Sequence, residues 1–278
     1  MSTDQANPSH VAFIGGGNMA RSLIGGLVQR GRAPDTIHVA DPVEAARDAL
    51  ARDFGVRVHA DGADAVAGAD TWVFAVKPQV MREVCASLAS QAQAARPVVV
   101  SIAAGITSGQ LDRWLGGGLP VVRTMPNTPA LLGAGVTGLF ANAAVDDGGR
   151  ERAESLLSAA GETVWIDDED VMDAVTAVSG SGPAYVFLLA EAMQAAGEAE
   201  GLAPEAARIL TLQTLLGASR MLVEGDADAR ELRRRVTSPN GTTHAAIETF
   251  EQGGFRELVH RAVHAARERG RELAAAND

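Results

Sequence analysis

The turn Gly15-Gly16-Gly17-Asn18-Met19-Ala20 constrains the fold more than any other stretch of the chain. It follows an apolar run, His10-Val11-Ala12-Phe13-Ile14, and opens a segment patterned as a helix to residue 30. The pattern is G-x-G-x-x-A in a strand–turn–helix setting. Gly15 permits the tight turn and Gly17 lets the backbone approach a pyrophosphate. Ala20 lets helix and strand pack closely, and the free N–H groups at the helix start favour phosphate charge. The spacing predicts a dinucleotide seat built from Ile14, Gly15, Gly16, Gly17, Asn18 and Met19.

Short apolar runs continue to alternate with amphipathic ones up to residue 166. Strands are expected at 36–40, 71–76, 97–102, 120–124, 136–141 and 163–166. Helices are expected at 43–54, 79–91, 108–115 and 147–159. Strands apolar along their whole length are buried on both faces, and their alternation with helices implies a parallel, doubly wound sheet of the Rossmann type. Beyond the acidic break Asp167-Asp168-Glu169-Asp170 no strand is patterned. Helices are expected at 172–178, 184–200, 204–224, 229–236, 242–252 and 255–276. The expected division is therefore a dinucleotide-binding domain, 1–167, and an all-helical domain, 168–278. Ile209, Leu210, Leu212, Leu215, Leu216, Met221 and Leu222 leave little polar circumference on one helix, so the helical domain should bury its faces against another copy.

Three segments extend the cofactor seat. The second strand ends at Asp41, which suits hydrogen bonds from a ribose 2′-hydroxyl and argues for NAD(H). Arg47 offsets part of that charge, so acceptance of both NADH and NADPH is expected. Ala75-Val76-Lys77-Pro78 lies at the carboxyl end of strand 71–76, and the SIAAG run with Ala103 and Ala104 follows strand 97–102. Ligands of such sheets bind at those ends. Lys77 either points at the cofactor or simply opens a helix. It is the only lysine among the 24 lysine-plus-arginine positions.

Three further segments have no bland explanation together. Thr124-Met125-Pro126-Asn127-Thr128-Pro129 is a stiff loop, with Asn127 expected to offer a donor and an acceptor to the cofactor. Ser179-Gly180-Ser181-Gly182-Pro183 precedes a long helix, as a polar pocket floor or as a site of close helix packing. Thr237-Ser238-Pro239-Asn240-Gly241-Thr242-Thr243 precedes another helix. Hydroxyls and backbone N–H groups converge there on a helix start, a seat for a carboxylate or merely a cap.

The set GGGNMA, AVKP, SIAAG, MPNTP, VSGSGPAY and SPNGTT, in this order and spacing, resembles the pyrroline-5-carboxylate reductases over residues 10–272. The resemblance implies reduction of 1-pyrroline-5-carboxylate to proline with NADPH or NADH. It implies a substrate between the nicotinamide and residues 238–243, with Thr243 as the catalytic group at the ring nitrogen. Ser238, Gly241 and Thr242 would hold the carboxylate, Ser181 would line the substrate side, and Lys77 would lie at the cofactor. It also implies a homodimer or a pentamer of dimers. Asn240 stands where many members have glycine. Asn tolerates the left-handed conformation, so the loop should survive.

The chemistry fits the residues that are missing. A protonated imine is already electrophilic, so positioning can carry catalysis, and no histidine or carboxylate lies within SGSGP or SPNGTT. His244 is expected on the helix surface. A β-hydroxyacid dehydrogenase would share the two-domain plan but needs a proton donor, typically a lysine in the second domain, and this chain has none after Lys77. A non-catalytic sensor of the NAD(H) ratio would need a basic stripe or a partner surface. The formal net charge of −11 disfavours nucleic acid and anionic membrane. No metal site is expected. A lone cysteine, Cys85, a polar 1–9 and no apolar run of about 18 residues predict a cytoplasmic protein without a membrane span.

Overall fold

A computed structural model describes residues 9–276, so the polar stretch 1–8 lies outside the described residues. These residues form two compact units, 9–181 with 266–276, and 182–265.

The first unit is built on eight strands: β1 Val11–Ile14, β2 Ile37–Ala40, β3 Arg57–His59, β4 Thr71–Phe74, β5 Val98–Ser101, β6 Val121–Met125, β7 Gly135–Ala141 and β8 Gly161–Trp165. Their order in the sheet is β3-β2-β1-β4-β5-β6-β7-β8. The helices between them are α1 Asn18–Gln29, α2 Glu44–Phe54, α3 Gly62–Val66, α4 Pro78–Ala95, α5 Ser108–Trp114 and α6 Asp147–Leu157. Alternation along β1 divides the core. Val11 and Phe13 join Leu23, Ile24 and Leu50 on one face, and Ala12 and Ile14 join Val66, Met81 and Leu88 on the other. Both faces are dry, as a parallel sheet requires.

Two local expectations are corrected here. The sheet is not parallel throughout, because β6 and β7 pair antiparallel. Only residues 126–134 join them, fewer than the dozen or more of a usual parallel crossover, so the chain doubles back. The short strand β3 was not delimited by the apolar pattern. Its burial is partial, because it is the outermost strand beside β2.

After β8, the expected helix at 172–178 is instead a short helix α7, Met172–Val175, running into a π turn over Thr176–Gly180. Packing here is tight. A Cβ on Gly138 would lie 2.6 Å from Val175, and one on Gly180 would lie 2.5 Å from the Met125 methyl. Arg123 of β6, buried, faces Glu169 at 3.4 Å and Asp173 at 3.3 Å. Glu169 also accepts hydrogen bonds from the Ser108 N–H and hydroxyl, both at 2.6 Å. The compact unit thus runs on past the last strand to Ser181.

The second unit is helical: α8 Gly182–Ala199, α9 Pro204–Glu224, α10 Ala229–Arg235 and α11 Thr242–Gln252, with the first half of α12, Phe255–Ala275. Helices α8 and α9 pack as an antiparallel hairpin through Gly197, where a Cβ would lie 3.4 Å from that of Ala207. No helix among the described residues is long and apolar enough to cross a membrane.

Candidate active site

At the carboxyl ends of β1, β2 and β4 lies a cavity of about 420 Å³. Ile14, Gly15, Gly16, Gly17, Asp41 and Lys77 line it, with Ala75 and Val76 beside them. The three glycines have different reasons to be glycine. Gly15 has φ +104°, and a Cβ there would lie 2.6 Å from the Ala75 carbonyl oxygen. At Gly16 a Cβ would meet the Leu50 side chain at 2.6 Å. Gly17 has an ordinary φ of −68°, and a Cβ there would meet nothing within 4 Å. The fold itself therefore requires Gly15, Leu50 would have to shift for a side chain at Gly16, and nothing in the fold requires glycine at Gly17. The open space in front of the α1 N-terminus suits a pyrophosphate. Asn18 and Met19 begin α1 directly behind it.

Asp41 is held in place by the turn it faces. One carboxylate oxygen accepts from the Gly16 N–H at 2.8 Å, and the other from the Val43 N–H at 2.9 Å. The Arg47 guanidinium donates to the Asp41 backbone carbonyl at 2.7 Å. Across the glycine turn, Lys77 is the N-cap of α4, with Pro78 at the first helical position. A lysine ammonium cannot accept the free N–H groups, so it does not serve as a cap. It lines the cavity and forms no ion pair among the described residues.

The far wall of the cavity was not found from the sequence. Ala60 and Gly62, after β3, face Val80, Val84 and Leu88 of α4. These residues make that wall apolar. Its signal was the i, i+4, i+8 spacing on α4, which also describes an ordinary core-facing helix. Ala103 is buried and Ala104 exposed after β5, and neither lines the cavity.

Asn127 also lies away from it. Its amide N–H donates to the Ser179 carbonyl at 3.2 Å, and its oxygen accepts from the Val136 N–H at 3.0 Å. Both ends of the side chain cross-link the loop before β7 to the π turn. Ser181 ends that turn, donating its N–H to the Thr176 carbonyl at 2.9 Å. π turns are rare and occur often at functional sites.

In the helical unit, residues 238–243 form a compact bend. The Gly241 N–H donates to the Ser238 carbonyl at 3.0 Å, and Asn240 takes φ +59°. The left-handed conformation expected of that asparagine is thus present. Gly241 is the N-cap of α11, and no side chain caps the helix. Thr242 and Thr243 begin it and are exposed, as is Ser238. The cap reading of the threonines is therefore excluded. His244 is half-exposed, 3.7 Å from Glu248 one turn on. Cys85 is buried in the sheet core, and burial pushes its thiol up to about 12, so it is no nucleophile.

Comparison with known proteins identifies the family. Residues 169–273 match the model of pyrroline-5-carboxylate reductase dimerisation. Residues 10–105 match that of the coenzyme F420-dependent NADP oxidoreductases. A pyrroline-5-carboxylate reductase of Pseudomonas aeruginosa is 54% identical over 264 residues, covering 95% of this chain and 96% of that one. The chain belongs to the pyrroline-5-carboxylate reductase family. The structure of a member from Coxiella burnetii superposes with a TM-score of 0.93 at 43% identity, covering 96% of this chain and 99% of that one. A Plasmodium falciparum pyrroline carboxylate reductase, solved with NADP bound, superposes with a TM-score of 0.83 at 27% identity, covering 96% and 98%. As a member of this family the chain is an NAD(P)H-dependent oxidoreductase of proline biosynthesis, and its dimerisation region makes it a homo-oligomer.

Proposed function

We propose that this chain reduces 1-pyrroline-5-carboxylate to proline, with NAD(P)H seated at the glycine turn and the imine seated at the head of α11. The cavity at the carboxyl ends of β1, β2 and β4, lined by the glycine turn, Asp41 and Lys77, supports the first half of the reading. A dinucleotide held by Ile14 to Met19 would supply the hydride for the imine carbon, NAD(P)+ being the oxidised product. The C=N bond becomes a C–N single bond, and the proton already on the imine nitrogen stays there.

This chain's residues bind and orient. Ile14 to Met19 hold the pyrophosphate, while Asp41 faces the adenosine ribose and Lys77 adds positive charge at the mouth. Ala75, Val76 and Pro78, with Ala103 and Ala104, border the nicotinamide end. Asn127 acts indirectly, by holding the loop before β7 against the π turn that ends at Ser181. At α11 the substrate carboxylate takes the Ser238 and Thr242 hydroxyls and the N–H groups near Gly241. The protonated imine N–H donates to the Thr243 hydroxyl oxygen. A neutral hydroxyl is enough, because it aims the electrophile and need not supply a proton.

The assembly is a homodimer or a ring of five dimers. The cytoplasm is its compartment, where reduced dinucleotide is available and Cys85 stays a thiol. The test is oxidation of NADH and of NADPH by pyrroline-5-carboxylate, followed at the nicotinamide absorbance. Thr243→Ala should lower kcat by about 10- to 100-fold, the loss of one oriented hydrogen bond to a charged group, with cofactor affinity unchanged. Unchanged turnover would remove Thr243 from the reaction.

A further inference from the structure

We infer that Arg47 is the receptor for the 2′-phosphate of NADPH, and that with Asp41 it lets one site take either dinucleotide. The inference rests on the dinucleotide reading above. An aspartate at the end of the second strand normally accepts a ribose 2′-hydroxyl and repels a 2′-phosphate. In many proteins such a carboxylate could turn aside. Here it cannot do so freely, because its two oxygens accept the Gly16 and Val43 N–H groups at 2.8 and 2.9 Å. A 2′-phosphate must therefore be balanced by a cation on the same rim.

The cations near that rim are few. Lys77 lies at the end of β4, on the other side of β1 and its glycine turn from Asp41. Arg52, the other arginine of α2, pairs with Asp53 at 3.0 Å, and Arg21 of α1 pairs with the same carboxylate at 2.7 Å. Arg57 sits opposite His38, two strand positions before the pair His59–Ala40 at the carboxyl end. Arg47 remains. Its guanidinium touches the Asp41 backbone carbonyl at 2.7 Å and has no carboxylate partner among the described residues. Five N–H donors on a planar fork are matched to phosphate oxygens. A single bond to a part-buried carbonyl leaves most of them available. Glu44, which opens α2, and Asp48 add negative charge nearby, so attraction to a phosphate depends on this one guanidinium.

The two ligands then draw on different atoms. The 2′-hydroxyl of NADH donates to the free lone pairs of Asp41, and the 2′-phosphate of NADPH takes the Arg47 fork. The same division holds for fragments, with 5′-AMP reading Asp41 and 2′,5′-ADP reading Arg47.

Calorimetry on the full-length protein tests this without turnover, using NADH, NADPH, 5′-AMP and 2′,5′-ADP. Arg47→Ala should weaken NADPH and 2′,5′-ADP by about 10- to 100-fold, the range for charge-assisted hydrogen bonds, and leave NADH and 5′-AMP within about twofold. Arg47→Lys should recover part of the loss, and added salt should weaken NADPH more than NADH. Asp41→Asn should shift the NADPH-to-NADH affinity ratio towards NADPH. Equal losses for both dinucleotides in Arg47→Ala, or none, overturn the assignment of Arg47. Failure of wild-type protein to bind any of the four probes overturns the dinucleotide reading itself.

Discussion

The sheet-bearing unit and the helical unit use the same apolar alphabet to opposite ends. In the first, Trp72, Phe74, Val99 and Leu111 have no exposed surface, and two cores sandwich the sheet. In the second, residues 182–265 bury only Ala190, Ala207 and Thr211, while Phe187 is 67% exposed and Leu188 66%. An isolated chain with such helices would leave hundreds of square ångströms of contiguous apolar surface in water. The first unit therefore contains its own interior, and the second takes much of its interior from another copy. Stability should accordingly depend on residues alone in one unit and on protein concentration in the other.

That contrast can be broken or sharpened by mutation. The largest effect is expected in the sheet core. Phe74→Ala should lose about 3–5 kcal/mol, the usual range for a buried phenylalanine. Denaturant melts should show that loss by the same amount at every protein concentration. A loss that fades on concentrating the sample would contradict a self-contained core.

Phe187→Glu is the counterpart in the helical unit. It should raise the subunit dissociation constant by about 100-fold or more, since a full phenylalanine face is exchanged for a charge. Analytical ultracentrifugation reads this directly. If the variant remains assembled at nanomolar concentration, the exposed face of α8 is not where copies meet.

Within the core-bearing unit, the glycine turn separates folding from binding. Gly17→Leu should keep the wild-type melting temperature, because its Cβ meets nothing within 4 Å, and should weaken dinucleotide binding by about 100-fold by filling the pyrophosphate space. A destabilised Gly17→Leu protein would show that this glycine belongs to the fold after all, as Gly15 does.

The smallest expected effect concerns pH. His38 lies between His10 and His59, with ring centroids at 5.4 and 5.2 Å, and both its ring nitrogens are buried without a partner. Burial first, then the neighbouring His59, His10 and Arg57, holds its pKa below the usual histidine value. The unfolded chain thus takes up this proton before the folded chain does. Stability attached to a neutral His38 is complete above about pH 6.5 and declines as the pH falls below it. His38→Leu should raise stability by about 1 kcal/mol at pH 8, by removing an unsatisfied polar group. The gain should widen between pH 6.5 and 5. A variant whose melting curve keeps the wild-type acid slope would assign that slope elsewhere.

Legibility in the sequence followed the same division. Strands buried on both faces announce themselves as unbroken apolar runs, so β1, β2, β4, β5 and β6 were readable from Val11, Ile37, Trp72, Val99 and Val122 outward. Arg57-Val58-His59 was not, because an edge strand of three residues with one exposed arginine resembles a loop. The antiparallel return into β7 depends on how few residues join two strands, which hydropathy does not report. In the candidate site, Gly15, Gly17 and Asp41 carried a spacing rule and were found together. Ala60, Gly62 and Val84 carry no rule, because a slot between two helices is made by distant residues of unremarkable type. Asn127 was legible as important but not in its employment. Its partners, Val136 and Ser179, are 9 and 52 positions away.

The solitary ammonium at the mouth of the dinucleotide cavity has a practical consequence. Lys77 provides the chain's only side-chain amine, and no carboxylate among the described residues engages it. A fluorophore coupled through acylation would therefore reach one side chain on each subunit, beside the nucleotide entrance, with the α-amino group as the one competing amine. Such a label turns occupancy of that entrance into an optical signal, with arginine-rich surfaces elsewhere staying dark.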